Sequence, residues 1–161
     1  MKKVFYTDIT KEIISLMKNV QDEHNILSHI NFKNIRFVLS DYVRNVDYYG
    51  YCHANDPIYM PYTNKNIMYI VEIVYNNIKH FDIDRLIVLI LHELMHIPKG
   101  GFDFNNKMYL ETIDHDYNEF CKIVKLVNGI DWTDRRKKMP YLIKNKEVII
   151  KKNGISFKKR R

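Results

Sequence analysis

Two histidines four positions apart, with a glutamate beside the first, are the residues of this chain best suited to do chemistry: His92-Glu93-Leu94-Met95-His96. On a helix, residues i and i+4 share a face, so both imidazoles can point at one metal ion. Glu93 is rotated away from that pair, within reach of a water held on the metal. Zinc lowers the pKa of such a water to about 7, and a carboxylate can take its proton as it attacks a carbonyl carbon. The expected chemistry is zinc-dependent hydrolysis of a peptide bond, with a zinc-bound water activated by Glu93 as general base and His92 and His96 as metal ligands. With 7 His and 7 Glu in the chain, an HExxH arises by chance in about one such sequence in a hundred. The bland alternative is a pair of core histidines with Glu93 as their ion-pair partner. Burying two imidazoles and a carboxylate among apolar residues is costly unless they are paired or bind something, which favours the metal.

A catalytic zinc takes three protein ligands and keeps one position open. His115, 19 positions beyond His96, is the candidate third ligand. Its neighbours Asp114 and Asp116 can orient its second ring nitrogen. Glu111, Asp114, Asp116 and Glu119 are carboxylate rivals for the same role, and a helix-capping surface histidine is the plain alternative for His115. Tyr109 or Tyr117 can steady the oxyanion of the tetrahedral intermediate. His24, His29, His53 and His80 have no ligand-like spacing to the motif and read as ordinary. Cys52 and Cys121 lack CxxC spacing and read as reduced, buried thiols.

The motif must sit on a helix, and the flanking sequence supplies one. Asp82 or Asp84 can cap a helix containing Leu86-Ile87-Val88-Leu89-Ile90-Leu91 and reaching Ile97. It is apolar on nearly every side, so it must be central. Pro98 and Gly100-Gly101 end it. Upstream, Thr7-Asp8 followed by Ile9, Ile13, Ile14, Leu16, Met17 and Val20 reads as a capped amphipathic helix running to about residue 20. Ile35 to Leu39 and Met68 to Val74 are apolar and β-rich, and read as strands. The stretch from Asp41 to Tyr62 is aromatic and irregular, with a short extended segment over Pro57 to Tyr62. A further helix is predicted from His115 to Val127, ending at Asn128-Gly129. Near the end, Asn153-Gly154 between two β-favouring segments predicts a hairpin.

The bulk properties narrow the class. At 161 residues, 46% hydrophobic and 28% charged, the chain has a globular composition and the size of one domain. Its longest strongly apolar run, Leu86 to Leu91, is far short of the roughly 18 residues a membrane-spanning helix needs. Asp8, Lys11 and Glu12 interrupt any signal-peptide core, so a cytoplasmic protein without membrane partners is expected. The net charge of +7 is uneven: residues 134–161 carry 12 Lys and Arg against 2 acidic residues, a net of +10, while residues 1–133 carry a net of −3. We expect residues 1–133 to form the catalytic domain and residues 134–161 a basic hairpin tail. That tail either contacts nucleic acid phosphates or only keeps the protein soluble.

His92-Glu93-Leu94-Met95-His96-Ile97-Pro98, preceded by Met68-Tyr69-Ile70-Val71-Glu72-Ile73 and followed by Gly100-Gly101, resembles the phage and archaeal metallopeptidase family. That family shows a HELxHIP core after an extended Tyr-x-x-Glu segment, with a His-Asp pair downstream that His115-Asp116 matches. Asp131-Trp132 suits its C-terminal side. The similarity covers roughly residues 35–133. It implies an α+β, zincin-like fold in which a small mixed sheet packs on a central active-site helix, and it implies peptidase activity on protein or peptide substrates. In such a fold an edge strand beside the active helix receives the substrate in extended form. Met68 to Val74 is the expected strand, with Tyr69 and Glu72 lining the cleft and binding substrate. A more distant similarity is to SprT-like proteases, which combine HExxH with a later histidine and can attach a basic DNA-binding region. Beside the zinc peptidase, a DNA-associated protease and a non-catalytic zinc domain that binds a partner are the alternative functions.

Overall fold

The computed structural model describes residues 6–24, 30–41, 49–54, 67–94, 96–97 and 146–159. Within these, the protein is mixed α/β: a four-stranded mixed sheet with helices on one face, and a C-terminal two-stranded hairpin.

Strand β1 (Tyr6–Asp8) leads into helix α1 (Thr10–His24). Ile9, Ile13, Leu16, Met17 and Val20 recur at helical spacing and are all buried, so the amphipathic stripe is what docks α1 on the sheet. Its start is pinned to strand β2 (Ile35–Ser40). The Thr10 hydroxyl accepts from the Phe37 amide at 2.9 Å and donates to the Phe37 carbonyl at 3.2 Å. Asp8 does not cap the helix from the position just before it. It accepts from the Thr10 amide at 2.9 Å and from the Arg36 guanidinium, and β1, unread in the sequence, pairs antiparallel with β2. Burial opposes ionisation of Asp8, but the hydrogen bonds from Thr10 and Arg36 outweigh it and hold the carboxyl below its ordinary value.

The sheet order is β1-β2-β4-β3, where β3 is Gly50–Ala54 and β4 is Tyr69–Val74. β2 and β4 run parallel, with Val38 opposite Glu72, and β3 runs antiparallel to β4, with Gly50 opposite Ile73. Every residue of β4 is buried. That corrects the expectation that Met68 to Val74 is an edge strand: it lies between two neighbours, and an apolar run covered on both faces is the pattern of an inner strand. Among the described residues the edge beside the central helix belongs to β3, which lies in the stretch expected to be irregular.

Alternation along the strands sorts the two faces. Ile35, Phe37, Leu39, Tyr69, Val71, Ile73 and Cys52 join α1 and the central helix in the main core. Val38, Ile67 and Ile70 form a second cluster on the opposite face, with Tyr6 against it.

A short helix, α2 (Tyr75–Ile78), turns the chain from β4 towards the central helix α3 (Ile83–Leu94). Of its two candidate caps, Asp82 is the one used: its carboxylate accepts from the Arg85 amide at 2.9 Å. The C-terminal hairpin comprises β5 (Lys146–Lys151) and β6 (Gly154–Lys159). Lys151 pairs with Gly154, so the two-residue loop is Lys152-Asn153, one position earlier than the Asn-Gly pair suggests. Val148, Ile150 and Phe157 pack on the main core, and Ile155 is buried in it. No helix among the described residues is long and apolar enough to cross a membrane.

Candidate metal centre

The centre is built on the last turn of α3. Eleven of its twelve residues are buried, and His92 alone is half-exposed. The helix therefore runs through the core and meets the surface at its first motif histidine. The α-helix stops at Leu94, short of the expected end at Ile97. The amides of His96 and Ile97 donate to the carbonyls of Glu93 and Leu94, each at 3.1 Å, which tightens the chain into i to i+3 turns beyond the helix. His96 thus rides on a tightened turn and stays buried at 4% exposure.

The motif side chains lie close in two pairs, His92 with His96 and His92 with Glu93. The His92 and His96 ring centres lie 5.8 Å apart with the ring planes at 83°. Two imidazoles on one tetrahedral zinc, at about 2.1 Å per bond, hold their ring centres roughly 5 Å apart. The observed pair is therefore close to the spacing a shared metal needs. His92 Nε2 lies 4.0 Å from Glu93 Oε1, so the carboxylate stands at the edge of the pair. Nitrogen donors from two histidines beside one carboxylate suit a borderline-soft divalent cation such as zinc. The residues present fit a metal.

One residue that the sequence marks only as a break in an irregular stretch shapes this site. Gly50, at the start of β3, faces α3 so closely that a Cβ there would lie 3.4 Å from Glu93 Cγ, 3.5 Å from Leu89 Cδ1 and 3.0 Å from the Glu72 carbonyl oxygen. The missing side chain lets β3 press on the helix at Glu93. The only signal in the sequence is a glycine opening a strand, which marks a close backbone approach.

The other expected residues lie apart from the motif or outside the described residues. Glu72 is fully buried on the sheet face opposite α3, where the Ser40 hydroxyl donates to Glu72 Oε2 at 2.6 Å. Tyr69 is 6% exposed in the main core, where burial first, and then nearby Cys52, pushes its hydroxyl above the ordinary value. It stays protonated. Neither presents a side chain at an open cleft. His115, Glu111, Asp114, Asp116, Glu119, Tyr109 and Tyr117 all lie outside the described residues, as do the predicted helix from His115 to Val127 and the segment from Pro57 to Tyr62. Among the described residues no group of three or more His, Cys, Asp or Glu comes together as a metal site.

Comparison of the whole chain with known families decides its membership. Residues 1–144 match the family described as "Putative phage metallopeptidase". The chain belongs to this family. No curated protein and no solved structure matches the chain. As a member of the phage metallopeptidase family, the protein is related to proteases that use a metal ion. The match includes α3 and its motif.

Proposed function

We propose that this phage metallopeptidase-family protein is a zinc peptidase of zincin-like fold, cytoplasmic in location, acting on extended protein or peptide segments. The observation that carries the reading is the approach of the His92 and His96 rings, with Glu93 beside His92, where among the described residues the buried helix α3 reaches the surface. His92 and His96 would hold the zinc through their imidazole nitrogens, with His115 as the proposed third ligand. When bound, zinc supplies a Lewis acid that acidifies water and polarises the scissile carbonyl. Glu93 takes a proton from the attacking water on a carboxylate oxygen and delivers it to the leaving amine. Burial of Glu93, with 4% of its side chain exposed, keeps bulk water off that carboxylate and strengthens its electrostatic coupling to the metal.

The strand that best suits substrate is β3. It runs antiparallel to β4, packs on α3 beside Glu93, and is the terminal strand of the sheet among the described residues. An extended peptide adding to that edge would be held by main-chain hydrogen bonds next to the motif. The test is Glu93→Gln in the full chain, loaded with zinc and assayed on an unstructured protein substrate. We expect unchanged zinc content and turnover reduced about a hundred- to ten-thousandfold. Wild-type turnover in that variant would show that Glu93 is not the base.

A further inference from the structure

The hairpin carries a second feature, away from the motif. Between α1 and β6 runs an open groove of about 550 Å³, lined by Glu12 and Ser15 of the helix and by Lys146, Ser156, Lys158 and Lys159 among the hairpin residues. No residue of α3 lines it. Two of the three groove lysines are not consumed by ion pairs within the fold. Lys158 pairs with Glu147 at 3.4 Å and Lys152 with Asp41 at 3.9 Å, whereas Lys146, Lys151 and Lys159 make no ion pair among the described residues. Lys146 and Lys159 are also direct cross-strand partners. Like charges placed opposite each other on one sheet face oppose folding, so the pair does nothing for the hairpin that two neutral residues would not do better.

We propose that this groove binds the phosphodiester backbone of a nucleic acid. Lys146 and Lys159 supply the uncompensated charge, with Lys158 beside them, against the single carboxylate of Glu12. The exposed hydroxyls of Ser15 and Ser156 supply neutral donors of the kind that contact phosphate oxygens. A repeating polyanion suits the site better than a single phosphate, because the positive charge is spread out. It continues in sequence into Arg160-Arg161, and Arg135-Arg136-Lys137-Lys138 precedes the hairpin. Spread charge is rewarded by the release of many condensed counterions from nucleic acid. An anionic membrane surface fits less well. The outward hairpin face carries Glu147, Ile149, Lys151, Ser156 and Lys158, with one apolar side chain and no aromatic to enter the lipid interface. Because no motif residue lines the groove, its occupancy is read without reference to peptidase activity.

The test is fluorescence anisotropy of labelled single-stranded DNA and of its duplex with the full-length protein across a salt series. Three proteins are compared: the wild type, K146A/K159A, and the control K33A/K79A, which removes two exposed lysines elsewhere. We expect wild-type affinity to fall steeply with salt, and K146A/K159A to bind on the order of tenfold more weakly near 0.1 M salt. Its log–log salt slope should be shallower by about 1.4 for the single strand, or about 1.8 for the duplex. The control should bind like wild type, and the thermal midpoint of K146A/K159A should not fall, since the variant removes a repulsion. No wild-type binding at low salt, equal weakening by both double variants, or binding to phosphatidylserine vesicles but not to DNA would each overturn the proposal.

Discussion

Helix α3 and the C-terminal hairpin carry charge in opposite ways. In α3 the charged residues Asp84, Arg85 and Glu93 lie inside the protein, where each polar group must have a partner or a function to offset its desolvation. In the hairpin one face is given to the core through Val148, Ile150, Ile155 and Phe157, and most of its lysines stand in solvent. Charge costs little there and can be set by whatever the surface meets. The difference teaches where to look for each kind of function: chemistry that needs a dry, fixed geometry on α3, and diffuse electrostatic recognition on the hairpin.

That contrast can be broken by substitution. The largest effect on stability is expected from Leu89→Ala, since Leu89 is fully buried beneath Gly50. It should cost about 2–5 kcal/mol in denaturant unfolding, and a loss below about 1 kcal/mol would mean that α3 is less tightly packed than described. Gly50→Ala should come next. The added methyl meets the Glu72 carbonyl in the interior of the sheet, so β3 or Glu93 must give way. We expect about 1–3 kcal/mol of destabilisation from overpacking. We also expect kcat reduced about ten- to a hundredfold, because small displacements of a catalytic group are costly. Zinc content should be unchanged, and equal activity in this variant would separate β3 from the catalytic geometry.

The smallest effect concerns pH. The folded-state pKa of Asp8 is lowered, so its contribution is present above the ordinary aspartate value of about 3.9 and is lost as pH falls through the lower folded value. Asp8→Asn should therefore lose less thermal stability than wild type between about pH 5 and pH 3. Parallel acid profiles for the two proteins would rule out that linkage.

Much of this arrangement is legible in the residues. The apolar run of α3 with Asp82 before it, the stripe from Ile9 to Val20, and the β-rich runs of β2 and β4 all announce their elements, because burial and local propensity agree there. β3 is not legible. Gly50-Tyr51-Cys52-His53-Ala54 has neither alternation nor β-branched residues, and its strand form comes from pairing with β4, a non-local cause. For the same reason HExxH spacing singles out His92, Glu93 and His96 as the residues to test, while the approach of Gly50 to Glu93 and the bond from Ser40 to Glu72 do not appear until the sheet is assembled. The inner position of β4 is not legible either: Glu72 interrupts its apolar run, and only pairing with β2 on one side and β3 on the other places it inside the sheet. The hairpin loop falls one residue before Asn-Gly because the pairing of Lys151 with Gly154 fixes the register.

We propose that α3 presents a metal site at its exposed end. The most direct measurement is zinc per chain by elemental analysis on the full-length wild type, His92→Ala, His96→Ala and His115→Ala, after reconstitution and exhaustive dialysis. Close to one zinc is expected in the wild type, with most of it lost in all three variants. Retention in His115→Ala alone would move the third ligand to a neighbouring carboxylate. A wild type that holds no zinc, or His92→Ala and His96→Ala variants that hold as much as wild type, would contradict the account.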